Sequence, residues 1–187
     1  MEYQASMLFG YLYFSHSTIF RNMFALIIGI DNYRDPNVKK LRGAVADADR
    51  FGSFLRGQVK VENDRIIHLR NEKATRKEIE NAFCSLWQTE SINYGEPIVV
   101  YFAGHGCKIG RPASWETGGL QEIEGIFPYD IQPSQQQGTN PRIFPIPDRT
   151  IAAWLNILSH RKGNNIVRGQ FHKFYRLRNR LDLDRYF

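Results

Sequence analysis

From Met23 onward, apolar runs of strand length alternate with segments of helical period. "FALIIGI" (Phe24 to Ile30) is apolar on both faces and rich in isoleucine, as a central strand of a parallel sheet should be. After the polar turn "DNYRDPN", the stretch "LRGAVADADRFGSFL" sets Val45, Ala48, Phe51, Gly52 and Leu55 at near-helical spacing, opposite Asp47, Asp49 and Arg50, which predicts an amphipathic helix. "RIIHL" (Arg65 to Leu69) predicts a second, short strand. "TRKEIENAFCSLW" predicts a second helix, with Ile79, Ala82, Phe83, Leu86 and Trp87 on one face and Thr75 and Glu78 in capping-box spacing. "PIVVYFAG" predicts a third strand that runs to Gly104. A polar segment rich in Gly, Gln and Pro comes next, from Lys108 to about Pro145, broken by "EGIFPYD", and is expected to be a long loop of the kind that carries function. "IPDRTIAAWLNILSHRKG" predicts a third helix, with Pro147 in its first turn, a stripe of Ile151, Trp154, Leu155 and Leu158, and Gly163 at its end. The alternation predicts an α/β fold: an open, mostly parallel sheet with helices on both faces.

Residues 1–22 are aromatic and apolar but interrupted by Gln4, Ser6, Gly10, Ser15, His16 and Ser17. They fit neither a signal peptide nor a membrane span and are read as an unassigned extension, a peripheral strand at most. The 187 residues, 42% hydrophobic and 24% charged, suffice for one globular domain. The net charge of +6 is concentrated between Arg161 and Arg185, where a charge run reads as a solvated face. Neither a nucleic-acid nor a membrane partner is therefore expected. Two cysteines, Cys84 and Cys107, make no disulfide framework, and a reducing, cytoplasmic setting is expected.

In open α/β sheets, functional groups collect where loops leave the carboxyl ends of the strands. His105 stands at such an end, and the glycines on either side of it allow a sharp turn that exposes an imidazole suited to act as a general base. The competing reading is a histidine satisfied by a backbone carbonyl within a tight turn. Cys107 is close in sequence, but side chains at i and i+2 need not converge after a turn, so it reads as a bystander. Cys84 lies off the apolar stripe of its helix and reads as structural. No second pair of ligands accompanies His105 and Cys107, which argues against a zinc site.

"FALIIGIDNY", "LRGAVADADRF", "VVYFAGHG", "EGIFPYD" and a helix ending in "GNN", in this order, resemble the caspase and metacaspase clan of cysteine proteases, most of all the fungal caspase-domain proteins. The resemblance covers residues 23–166, taken as the caspase-like domain, and leaves 167–187 as a divergent basic tail. It implies a caspase-like fold, a Cys–His dyad in which His105 is the catalytic histidine, and a protein or peptide substrate. It further implies that Asp47, four residues after Gly43, lines a pocket for Arg or Lys; a solvent-facing Asp47 on an amphipathic helix remains the alternative. Calcium dependence occurs among metacaspases, but the sequence has no dedicated calcium loop, and no cofactor is expected.

The family's nucleophile belongs to the next central strand, in a pattern such as Asp-x-Cys-His-Ser-Gly just after "GNNI". Here the chain reads "VRGQFHKFYRLRNRLDLDRYF", without a cysteine or an apolar run. The fold is thus expected to be incomplete, lacking the central fourth strand and the part of the domain beyond it, and the chain to be poorly stable and inactive as a peptidase. The tail is expected to carry no selected structure, the product of a splice or frame change after Ile166. The rival reading is a non-catalytic caspase-homology module that pairs with a full-length relative and regulates it. Nucleotide binding is disfavoured because the turn after "FALIIGI" lacks a glycine-rich phosphate loop.

Overall fold

A computed structural model describes residues 22–110, 122–132 and 143–169. The extension over residues 1–21, most of the long polar segment and the tail beyond Gly169 lie outside the described residues.

Three strands predicted from apolar runs form as β1 (Phe24–Gly29), β2 (Ile66–Arg70) and β3 (Ile98–Ala103). The predicted helices form as α1 (Ala44–Phe54), α2 (Arg76–Gln88) and α3 (Asp148–Lys162). A short strand, Ile166–Gly169, completes a four-stranded parallel sheet in the order β2, β1, β3, and then this strand. A fourth strand beside β3, expected to be missing, is therefore present over Ile166–Gly169, with Ile166 opposite Ile98 and Gly169 opposite Tyr101. β-branched Ile166 and Val167 suit a strand, and β3 offers them a backbone partner that sequence reading could not weigh.

β1 is buried at every position, yet its two faces meet different helices. Phe24, Leu26 and Ile28 join Ile98, Val100 and Phe102 of β3 in a core with Ile79, Phe83 and Leu86 of α2 and Ile151, Leu155 and Leu158 of α3. Ala25 and Ile27 join Val99, Tyr101 and Ala103 against Ala44 and Ala48 of α1. The period of two along each strand thus sorts an apolar run into two cores, with α1 on one face and α2 and α3 on the other. Gly29 permits the close approach of α1, since a Cβ there would stand 2.6 Å from that of Ala48. Phe83 and Trp154 pack ring to ring at 5.0 Å, joining α2 to α3.

Cap residues act partly as predicted. Thr75 Oγ1 accepts from the Glu78 N–H at 3.1 Å, and buried Asp130 of "EGIFPYD" accepts from the Arg76 N–H at 2.8 Å. Pro147 sits at the N-cap in extended conformation, one residue before the helix and not inside its first turn.

The segment expected as a loop contains a small antiparallel sheet. Its strands β4 (Gly106–Gly110), β5 (Glu122–Ile126) and β6 (Ile146–Pro147) adjoin in that order, with Cys107 opposite Gly125. The strand Ile166–Gly169 is accordingly β7. Charged and glycine residues depress strand propensity in β4 and β5, so pairing between distant segments decides them. Gly125 is needed where β6 crosses, because a Cβ would stand 2.8 Å from the Ile146 carbonyl oxygen. Among the described residues, no helix is long and apolar enough to cross a membrane.

Candidate functional site

The chain moves one way from β1 to β2 and then returns across β1 to β3, so the strand order reverses between β1 and β3. At such a switch point the loops leaving the two carboxyl ends diverge and frame a crevice. His105 stands there, two residues beyond β3, and the loop from Ile30 to Gly43 leaves β1 beside it; the Ile30 N–H donates to the Ala103 carbonyl at 2.9 Å.

That loop is tied at its base. Asp31 Oδ1 accepts from the N–H groups of Gly43 and Ala44 at 3.1 and 2.8 Å, and Oδ2 from that of Val45 at 3.3 Å. Asp31 therefore satisfies orphan donors at the start of α1 from a distant position in sequence, with its charge at the favourable end of the helix dipole. The Leu41 N–H donates to the Asp31 carbonyl at 2.9 Å, closing the loop on itself. Asn71, at φ 41°, turns its Oδ1 to the N–H groups of Asp31 and Asn32. Asparagine tolerates this left-handed conformation better than most residues.

The closed loop presents two groups to His105. The Lys39 carbonyl oxygen lies 2.6 Å from His105 Nε2. A carbonyl only accepts, so Nε2 carries the proton and, in the neutral ring, Nδ1 is the basic nitrogen. Tyr33 Oη accepts from the His105 N–H at 2.7 Å, and its ring lies 5.3 Å from the imidazole. Phe127 adds an edge contact at 6.3 Å, and its N–H donates to the His105 carbonyl at 2.9 Å. The imidazole is thus oriented and partly exposed, as a general base requires. A backbone carbonyl does satisfy one ring nitrogen of His105, but it comes from Lys39, 66 residues away in sequence, and not from the histidine's own turn.

Gly104 has a steric role in place of the conformational one expected. It does not adopt positive φ; among the described glycines Gly95 and Gly163 do. A Cβ at Gly104 would meet Phe102 Cζ at 2.7 Å and Tyr33 Oη at 3.1 Å.

Cys107 lies on β4, where its thiol donates to the Gly125 carbonyl at 3.6 Å. Burial, with the Glu124 charge in addition, pushes its pKa up to about 11. A thiol so held is a poor nucleophile at neutral pH. Cys84 is a half-buried free thiol on α2.

Asp47 stands in the first turn of α1, paired with Arg50, and its side chain is about a quarter exposed. Burial, with Asp47 as the second cause, raises the Tyr101 phenol to about 12, and Tyr101 stacks on Phe51 at 4.7 Å. Asp47 therefore lies against β3 on the α1 face, while His105 lies beyond the end of the same strand. Neither the Lys39 carbonyl nor Tyr33 was identified from sequence. A backbone oxygen carries no residue signature, and Tyr33 was visible only as part of "DNY". Among the described residues, no group of three or more His, Cys, Asp or Glu side chains could hold a metal ion.

Comparison with known proteins bears on the family and the fold. No curated protein matches the chain. Protein GSU0716 from Geobacter sulfurreducens, known from its crystal structure, is similar in fold with a TM-score of 0.55 at 16% identity. The likeness covers 78% of this chain and 47% of that one, so the chain spans about half the length of that protein. The family described as the caspase domain matches residues 22–135, most of the chain, including β1 to β5 and His105. The chain belongs to the caspase domain family.

Proposed function

We propose that the chain is the histidine-bearing part of a metacaspase-type cysteine endopeptidase domain, with His105 as general base through Nδ1 and Asp47 selecting Arg or Lys in the substrate. In such a dyad the histidine takes the thiol proton and the thiolate attacks the peptide carbonyl. The observation that carries the reading is the 2.6 Å contact between His105 Nε2 and the Lys39 carbonyl, which sets the tautomer that proton abstraction needs. As written, the chain does not hydrolyse peptides. Its two cysteines are Cys84, on the helix α2, and Cys107, whose proton is held by burial. The two free thiols also suit the cytoplasm. The purified chain is expected to leave Arg- and Lys-containing peptides intact. Cleavage abolished both by His105→Ala and by a thiol reagent would overturn inactivity and return Cys107 to the role of nucleophile.

A second reading is a module that pairs with a complete relative. It is favoured by β7, the last strand of its sheet among the described residues, whose Val167 is 46% exposed. Outer strands are templates for addition of another chain. Co-expression with a full-length relative followed by size-exclusion chromatography is expected to give a mixed complex on this reading, and separate elution counts against it.

A further inference from the structure

We infer that Tyr33 is a positioning residue for His105, its hydroxyl and ring acting with the Lys39 carbonyl to hold the imidazole in one orientation and one tautomer. The inference rests on the reading of His105 as general base.

Three contacts define the orientation. The Tyr33 hydroxyl accepts from the backbone N–H of His105 at 2.7 Å, which fixes where the Cα–Cβ bond points as the chain leaves β3. The Tyr33 ring covers one side of the imidazole with centroids 5.3 Å apart and planes inclined by 36°. The Lys39 carbonyl then meets Nε2. Two of the three come from one side chain, and the third comes from the same closed loop.

Tyr33 is itself held. It is 7% exposed, and Phe127 meets its ring edge-on at 6.2 Å with planes inclined by 80°. The neighbouring Arg34 N–H donates to the Tyr129 carbonyl at 2.8 Å, which ties the loop to the segment after β5. A Cβ at Gly104 would crowd the hydroxyl at 3.1 Å, so the glycine before His105 leaves room for Tyr33. Burial raises the phenol pKa well above its ordinary value, so the hydroxyl stays neutral at physiological pH. A Tyr33 that served packing alone would need its ring here but not its hydroxyl on the His105 N–H.

The test is nitrogen NMR of the imidazoles in the full chain, with the five histidines separated by comparison with His105→Gln. Near pH 8, the His105 of the unsubstituted chain is expected to be the Nε2–H tautomer alone. Tyr33→Phe keeps the ring and removes the acceptor. It is expected to produce a mixture of tautomers at His105 and to speed exchange of the His105 amide proton by about tenfold or more. If the tautomer and the exchange rate stay as in the parent, the proposal is overturned, even where the variant is less stable. Should Tyr33→Phe not fold, 3-fluorotyrosine placed at position 33 keeps the shape and weakens the acceptor. An upfield shift of the His105 amide proton then supports the proposal, and an unmoved resonance overturns it. These readouts involve no peptide substrate, so their failure is distinct from failure of the peptidase reading, which the cleavage assay decides.

Discussion

His68, on β2, shows how burial outweighs a nearby opposite charge. Its side chain is 10% exposed, and Nε2 lies 3.4 Å from Asp49 Oδ1 without hydrogen-bond geometry, while Arg70 Nε donates to that oxygen at 2.5 Å. Burial, then the Arg70 charge, lowers its pKa from 6.5 to about 4, with Asp49 opposing and Arg56 adding. Between these values the unfolded chain binds a proton that the folded chain refuses, so stability rises with pH across that window. The urea midpoint is expected to fall as pH drops from 6.5 to 4, and His68→Gln should flatten that slope. At Cys107 the same cause acts on a thiol. A rise from 9 to about 11 predicts that alkylation by iodoacetamide at pH 8 is roughly a hundredfold slower at Cys107 than at an unperturbed thiol, read by mass spectrometry of peptides.

At the level of elements, the loop after β1 matters more than any one helix. Asp31 caps α1, closes the loop with its carbonyl and is itself held by Asn71. Asp31→Ala leaves three N–H groups at the start of α1 without their acceptor and is expected to cost about 2 kcal/mol in chemical denaturation, at the upper end for a helix cap. Asp31→Asn keeps one acceptor oxygen and should cost roughly half as much. If the alanine variant matched the parent, the cap would be redundant. The Leu41 N–H is bonded to the Asp31 carbonyl two residues from Lys39, so loosening this loop is expected also to displace the Lys39 carbonyl from Nε2.

For the whole molecule, the parallel sheet sets a gradient of stability. β1 and β3 are flanked by strands on both sides and buried throughout, whereas β7, among the described residues, pairs with β3 alone over four residues. Native-state hydrogen exchange is expected to be slowest in β1 and β3 and at least about tenfold faster in β7, because edge amides open without global unfolding. Equal protection across all four strands would contradict this ordering. The whole also includes a contrast between sheets. The parallel sheet holds its strands by apolar burial on two faces, and the antiparallel one, β4 to β6, carries Lys108, Glu122 and Glu124 on its strands.

Local pattern by itself determined the order β1, α1, β2, α2, β3 and, beyond the polar segment, α3, because an apolar face of period two or 3.6 must be buried whatever its partners are. It likewise placed His105 at a strand end, and the motifs around that strand carried the family. The features that only the tertiary structure decided rest on atoms every residue shares, or on partners far away in sequence. The Lys39 carbonyl at Nε2, Asp31 at the N-terminus of α1, and the pairing of β4 with β5 and of β7 with β3 are of this kind. Their free energy comes from groups that meet only once the chain is folded, and so leaves no periodic trace in the sequence.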